Sequence, residues 1–314
     1  MINSKESAHF VLFCTLLAIV CLQPNRASAQ ADTLTFLHTT DTHLIFDIDD
    51  YHPEVVSRRK HYGYGIQPLR RLLDSVSTLG GIRFVAITGD LVDYYGAVTP
   101  RGVERSLQIE RFGRLIREYP IPVFLNLGNH DIVAHGWDGQ RMTSSQRIAG
   151  KARAAWVRSA EAFRDGTYYS RNFKVGATHY KLIFLDNGYN SAGALEPTKP
   201  PYLDRVQLEW LKEQLNESAN DVEIVLMHIP FTKDASGEFF QTLTSHPSAK
   251  LILSGHEHEN KVTQIGIQNT VSQVQTGAFA RDTTNWRIIK LAENSILVST
   301  PAGRQTELSL PLKK

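Results

Sequence analysis

Cysteine is nearly absent from this chain: Cys14 and Cys21 are the two in 314 residues, and both fall in one N-terminal apolar stretch. Without that stretch the chain can form no disulfide and offers no thiolate to a metal, so its ligand chemistry is carboxylate, amide and imidazole. Net charge is also nearly absent, with 34 Lys and Arg against 32 Asp and Glu and a formal charge of +2. A nucleic-acid binder carries a basic stripe. Here the Arg-rich stretch 101–120, RGVERSLQIERFGRLIREYP, alternates its signs as a solvated helix face does. No nucleic-acid partner is expected.

Long hydrophobic runs are missing too. FVLFCTLLAIVCL, at residues 10–22, falls short of the roughly 20 apolar residues that span a bilayer. It leads to Ala27 and Ala29 in ASAQ, an A-x-A cleavage site. Residues 1–29 therefore read as a signal peptide, which predicts a secreted or periplasmic protein with no stable membrane insertion once the signal is removed. Lys5 is offset by Glu6, so an uncleaved anchor is the alternative, and Val20 stands before Cys21 where a lipidation site needs a small residue. At 42% hydrophobic and 21% charged residues, the chain can bury a large core. It contains no repeat and no low-complexity linker, so residues 30–314 read as one domain. No sequence feature sets an oligomeric state.

What is present is an alternation of apolar β-rich runs with helical patterns. LTFLHT (34–39), FVAIT (84–88), VFLNL (123–127), YKLIFLD (180–186), EIVLM (223–227) and LILS (251–254) read as buried strands. Ile66, Leu69, Leu72, Leu73, Val76 and Leu79 form one helical stripe, and Thr99-Pro100 has the form of an N-cap and first-turn pair. In LDRVQLEWLKEQL (203–215), Asp204 is the N-cap with Gln207 at N3, and Leu203 and Leu208 are placed as a staple. Residues 140–163 read as a helical insertion. After residue 265 the segments TVSQVQTGA, WRIIKLA and SILVST predict a second, more antiparallel sheet packed on the first. The class is α/β with buried sheets.

The carboxyl ends of the strands are loaded in a consistent way. LTFLHT leads to Asp41 and His43, FVAIT to Asp90 and Asp93, VFLNL to Asn129, His130 and Asp131, EIVLM to His228, and LILS to His256 and His258. A glycine-aspartate after one strand is usually only a turn. Five segments delivering Asp, Asn or His to the same topological place are better explained by a site in the crevice beyond the strand ends. Oxygen and imidazole donors without sulfur suit ions such as Mn, Fe, Zn, Co or Ni. This set is too large for one ion and fits two, roughly 3.5–4 Å apart and sharing a carboxylate and a bridging water or hydroxide.

In order, D-x-H (Asp41, His43), G-D-x-x-D (Gly89–Asp93), G-N-H-D (Gly128–Asp131), a strand-end His228 and G-H-x-H (Gly255–His258) resemble the calcineurin-like metallophosphoesterases, over roughly residues 33 to 260. The resemblance implies a four-layer α-β-β-α sandwich of two mixed sheets with a dinuclear metal site at the strand ends. It implies two divalent or trivalent ions (Mn, Fe or Zn), with Asp41, His43 and His258 on one, Asn129, His228 and His256 on the other, and Asp90 bridging. It further implies that a metal-bridging hydroxide attacks a small phosphate-ester substrate. His130 then acts as general acid or transition-state donor, oriented by Asp93. Asp93 stands where purple acid phosphatases place a metal-ligating tyrosine.

TDTHL, LDNG (185–188) and QLEWLKEQL resemble class III cyclic-nucleotide phosphodiesterases, whereas LTFLHTTDTH resembles secreted 5′-nucleotidases. Either activity is an alternative to a general small-ester phosphatase, and a non-catalytic binding module on the same scaffold is a third. His61, Tyr62, Tyr64, His135 and Trp137 are candidate pocket residues.

Overall fold

The β-branched and aromatic runs of this sequence form strands buried on both faces, and their register explains why so little of each is polar. In the computed structural model, residues 33–76, 78–188, 201–267 and 270–312 are described. The signal peptide expected at residues 1–29 lies outside them. Asp32–Lys314 forms one compact unit. Among the described residues no helix is long and apolar enough to cross a membrane.

One six-stranded sheet has the order β16 (Thr306–Pro311), β15 (Ser295–Ser299), β14 (Trp286–Ala292), β1 (Thr33–Thr39), β2 (Ile82–Thr88), β5 (Val123–Asn126). β1, β2 and β5 are parallel, and β14 to β16 join antiparallel. The other has the order β12 (Lys261–Ile265), β13 (Val271–Gln275), β11 (Ala249–Ser254), β10 (Val222–Leu226), β9 (Thr178–Phe184), β8 (Tyr169–Val175). Here β9, β10, β11 and β13 are parallel, with antiparallel strands at both edges. The expected sandwich of two mixed sheets is therefore observed. The strands after residue 265 do not build a separate antiparallel sheet: β13 completes the second sheet, while β14 and β15 return to pair beside β1.

The two sheets meet through aromatic side chains. Phe84 stacks on Phe36 at 4.6 Å and on Phe173 of the opposite sheet at 5.4 Å, and Phe124 approaches Phe184 at 5.6 Å. Polar bridges set the spacing at the rim: Asn126 Nδ2 donates to the carbonyls of Leu185 (2.9 Å) and Leu226 (2.8 Å). Helices cover the outer faces. α2 (Ile66–Ser75), α3 (Gln108–Arg117) and α4 (Ala149–Ser159) pack Leu69, Phe112 and Trp156 into the core containing the first sheet. α5 (Arg205–Glu217) and α6 (Glu238–Ser245) bury Leu211 and Leu243 against Ile183, Val225 and Ile252 of the second. The Asp204 cap forms as expected, its carboxylate accepting from Gln207 N at 2.9 Å. The Gln207 side chain binds the main chain of Asp186 instead of closing a capping box.

A third, small sheet was not legible in sequence: β4 (Glu104–Arg105), β3 (Gly96–Val98), β6 (Ala134–Trp137), β7 (Met142–Ser145). Two expectations fall on it. Thr99-Pro100 does not start a helix; it turns β3 into β4, closed by Gly102 N to Thr99 O (2.9 Å) with Gly102 at φ 75°, a conformation cheap only for glycine. The stretch 140–163 opens as β7 rather than helix because Met142–Ser145 finds β6 as an antiparallel partner. Only α4 and a short 3₁₀ turn at Glu161–Phe163 are helical. α1 (Pro53–Arg59) starts with Pro53 and ends at Arg59, whose side chain reaches the strand-end crevice.

Candidate metal centre

The loops after β1 and β2 continue the parallel pairing of their strands. Asp41 N donates to Gly89 O (3.0 Å), His43 N to Asp90 O (2.8 Å) and Leu44 N to Leu91 O (3.1 Å). This rigid pairing holds the chain where L-residues resist going: Asp41, His43, Asp90, His256 and His258 all have positive φ, between 41° and 71°. Such conformations cost about 1–3 kcal/mol each and persist only when the surroundings over-determine them. Gly89 makes a sharp turn directly before Asp90, at φ 86°. Gly128 is needed for space instead, since a β-carbon there would lie 2.2 Å from Asp90 Oδ1.

Seven expected residues converge in this crevice. Asp41, His43 and His258 form one group of ligand-capable atoms within 4.8 Å of one another, and Asp90, His228 and His256 form a second. His43 Nε2 lies 3.5 Å from Asp90 Oδ2, and His228 Nε2 lies 3.2 Å from the same oxygen, so Asp90 stands between the groups. Asn129 Oδ1 is buried without a hydrogen-bond partner among the described residues.

The hydrogen bonds determine which atoms remain free. Asp41 Oδ2 accepts from Thr40 Oγ1 (2.8 Å) and His256 N (3.1 Å), while Oδ1 is buried, accepts no hydrogen bond among the described residues and lies 3.2 Å from His258 Nε2. Asp90 Oδ1 accepts from His130 N (2.8 Å), leaving Oδ2 toward the imidazoles. A carbonyl only accepts, so Thr88 O, 2.8 Å from His228 Nδ1, fixes the proton on Nδ1 and directs the Nε2 lone pair at Asp90. Asp93 Oδ1 does the same for His43 at 3.1 Å. Lone pairs of buried carboxylates and imidazoles thus face one another across a few ångströms. That arrangement is repulsive unless a proton or a cation lies between them.

The titration tendencies express the same competition. Burial opposes charge on His228, but Asp90 and Asp41 outweigh it and raise its pKa to about 9. Burial likewise opposes charge on His43, and the Asp41, Asp93 and Asp90 carboxylates raise it well above the ordinary histidine value. Asp90 and Asp41 are ionised against their burial, chiefly by the field of His228. Burial, reinforced by His228, lowers His256 to about 4. Asp131, of the G-N-H-D segment, is pushed up to about 8 by burial and by Asp90, and its carboxyl oxygens accept from Val92 N (3.0 Å) and Gly128 N (2.7 Å).

His130 is 23% exposed at the edge of this cluster. Its Nδ1 binds the main-chain carbonyl of Asp93 at 2.8 Å, whereas the Asp93 carboxylate is 3.7 Å away. That carboxylate serves His43 and Arg59. The guanidinium of Arg59 binds it through Nε (2.6 Å) and Nη2, and Nη2 is 3.5 Å from His130 Nδ1. Arg59 escaped the sequence reading because SRRK gives no reason to prefer it over Arg58. Asn187 also went unassigned within LDNG: its Oδ1 accepts from His228 N (2.8 Å) and Ile229 N (3.2 Å), fixing the strand-end turn. Of the pocket candidates, Tyr62 stacks on His43 at 4.4 Å and His61 packs on Tyr62. His135 is buried against Tyr94, with Nδ1 3.0 Å from Ser144 Oγ. Trp137 stacks on His52, and Tyr64 is 78% exposed.

The sequence model of the calcineurin-like phosphoesterase family matches residues 34–260. The human serine/threonine-protein phosphatase CPPED1 is 25% identical over 235 residues, 68% of this chain and 66% of that protein, so the match spans just under two thirds of the relative's length. The crystal structure of a dimetal phosphatase from Danio rerio superposes with a TM-score of 0.60 at 14% identity, covering 89% of this chain and 99% of that one, and so shares the fold.

The close approach at Gly128 yields a test of the centre's rigidity. Gly128→Ala is expected to displace Asp90 and weaken divalent-metal binding by about 10–100-fold, the usual effect of disturbing a ligand's support. Titration calorimetry alongside circular dichroism checks this; a folded variant with wild-type affinity would show that the crevice absorbs the added methyl.

Proposed function

Because this chain belongs to the calcineurin-like phosphoesterase family, we propose that it is a phosphoric ester hydrolase acting on small phosphate esters with two bound metal ions. The observation that carries this reading is the pair of largely buried clusters, Asp41–His43–His258 and Asp90–His228–His256, with Asp90 Oδ2 within 3.5 Å of both His43 and His228. Asp41, His43 and His258 would hold one ion and Asn129, His228 and His256 the other. Asp90, with Oδ2 between His43 and His228, would be shared. The donor types suit Mn, Fe or Zn. When bound, such ions act as Lewis acids on phosphoryl oxygens and ease deprotonation of water.

The chain's own contribution centres on His130. With Nδ1 committed to the Asp93 carbonyl, Nε2 is the atom that can face substrate. In hydrolysis a water oxygen adds to phosphorus and the phosphorus–oxygen bond to the alcohol breaks. Because the Nδ1 proton stays bonded to the Asp93 carbonyl, His130 acts as acid in its imidazolium form, giving the leaving oxygen its Nε2 proton, which the consumed water restores. Asp93 and Arg59 hold their own positions and that of His43 around it. The complete donor set with His130 beside it supports catalysis over a non-catalytic binding role. Export is part of the same reading, supported by the A-x-A site at Ala27 and Ala29.

Three outcomes are expected. Elemental analysis of active protein should find two ions per chain; Asp90→Asn should weaken both sites and His258→Ala mainly one, and full activity with a single ion would overturn the two-metal reading. His130→Ala, with both ions retained, should lose roughly 10²–10⁴-fold in kcat/KM on an alkyl phosphate and far less on p-nitrophenyl phosphate, whose leaving group needs little proton help. Equal losses on both esters would leave His130 as a phosphate-positioning group. Mass spectrometry of protein from the native envelope or medium should place the mature N-terminus at Gln30, and retention of residues 1–29 would rule out cleavage there.

A further inference from the structure

A cavity of about 350 Å³ opens beside His130, between the end of α1 and the β6–β7 hairpin. Resting on the hydrolase reading above, we propose that this cavity receives the leaving alcohol of the substrate and is built for a neutral, hydroxyl-bearing one, as in polyol and sugar phosphates. Its walls include Arg59, His130, Val133, Met142, Ser145 and Gln146. The volume lies at the lower end of the range for small-molecule sites, which begins at roughly 300 Å³.

Charge decides against a second anionic group. Among the described residues Arg59 is the one Lys or Arg in the lining, which contains no described Asp or Glu, and it is neutralised by its two-pronged pairing with Asp93. A phosphate or carboxylate on the leaving group would therefore meet no uncompensated Lys or Arg among the described residues of the lining. Arg59 nevertheless remains a donor: Nε and Nη2 are spent on Asp93, and Nη1 makes no hydrogen bond among the described residues. Ser145 Oγ accepts from Arg147 N at 3.2 Å, which leaves its hydroxyl proton to give.

Polarity decides against a bare hydrocarbon or aryl group, which would cover the Ser145 hydroxyl and Arg59 Nη1 without satisfying them. Met142 and Val133 give the opposite wall an apolar surface for the C–H face of a polyol. The placement also fits the chemistry of His130. The alkoxide of an aliphatic alcohol is a poor leaving group and requires the proton that His130 can deliver at the mouth of this cavity.

The test compares glycerol 2-phosphate with methyl phosphate, whose leaving group demands the same proton but is too small to reach the hairpin. With metal-loaded full-length protein, the ratio of kcat/KM for glycerol 2-phosphate over methyl phosphate should exceed one. In Ser145→Ala that ratio should fall roughly 3- to 10-fold, the worth of one neutral hydrogen bond; in Met142→Trp, which fills the cavity, it should fall further. A ratio unchanged in both variants overturns the proposal. So does a phosphoserine peptide turned over faster than glycerol 2-phosphate and insensitive to either variant, which would assign the hairpin to a protein substrate. If wild-type protein holding two ions hydrolyses none of the three esters, the hydrolase reading fails by itself. Calorimetric binding of glycerol 2-phosphate and methyl phosphate then makes the same comparison: preference for the former, reduced in Ser145→Ala, supports the cavity, and equal binding overturns it.

Discussion

The structure depends on the burial of acceptor lone pairs that point at one another. Asp41 Oδ1, Asp90 Oδ2 and the Nε2 atoms of His43 and His228 share a crevice in which their residues are almost fully enclosed. Left without a cation or shared protons, this group would cost far more than any single core contact contributes. Everything around it serves to keep it from relaxing. The second oxygen of each carboxylate is tied to a main-chain amide, Asp41 to His256 and Asp90 to His130. The loops run in register beyond the ends of β1 and β2, and five of the residues that form the two groups hold left-handed backbone conformations.

The sandwich supplies the stiffness this requires. Phe84 touching both sheets, Tyr180 Oη donating to Ala292 O at 2.6 Å across the interface and Asn126 bridging Leu185 and Leu226 keep the strand ends of the two sheets in fixed relation. This matters because the donors come from both: Asp41, Asp90 and Asn129 follow strands of one sheet, His228, His256 and His258 strands of the other. A shift between the sheets would separate the two halves of the centre. Arg59 and the β6–β7 hairpin then add what the sheets do not, a neutral polar wall beside His130.

Much of this was legible in the sequence because local chemistry and position coincide. A buried strand is apolar, and the polar residue that ends it stands out, so Asp41, Asp90, Asn129, His228 and His256 could be found without knowing which strand lies beside which. The N-cap at Asp204 was legible for the same reason. The misreadings occur where a local signal has two outcomes. Pro100 can open a helix or a turn, and Gly102 with the pairing of β3 and β4 decided for the turn. Met142–Ser145 has no helix-breaking residue, and β6 made it a strand.

The sequence by itself determined the α/β class, the strand ends that carry Asp, Asn and His, and the family resemblance, because these follow from the spacing of residue types along the chain. Tertiary structure alone decided which oxygen of each carboxylate is free, that the Asp93 carboxylate serves Arg59 and His43 while its carbonyl orients His130, that β13 joins one sheet and β14 the other, and that a hairpin walls a cavity at the site. Those outcomes depend on contacts between residues far apart in sequence, such as Arg59 with Asp93 and Asp41 with His256. No periodicity or motif encodes the distance between two side chains that meet only after the sheets have packed.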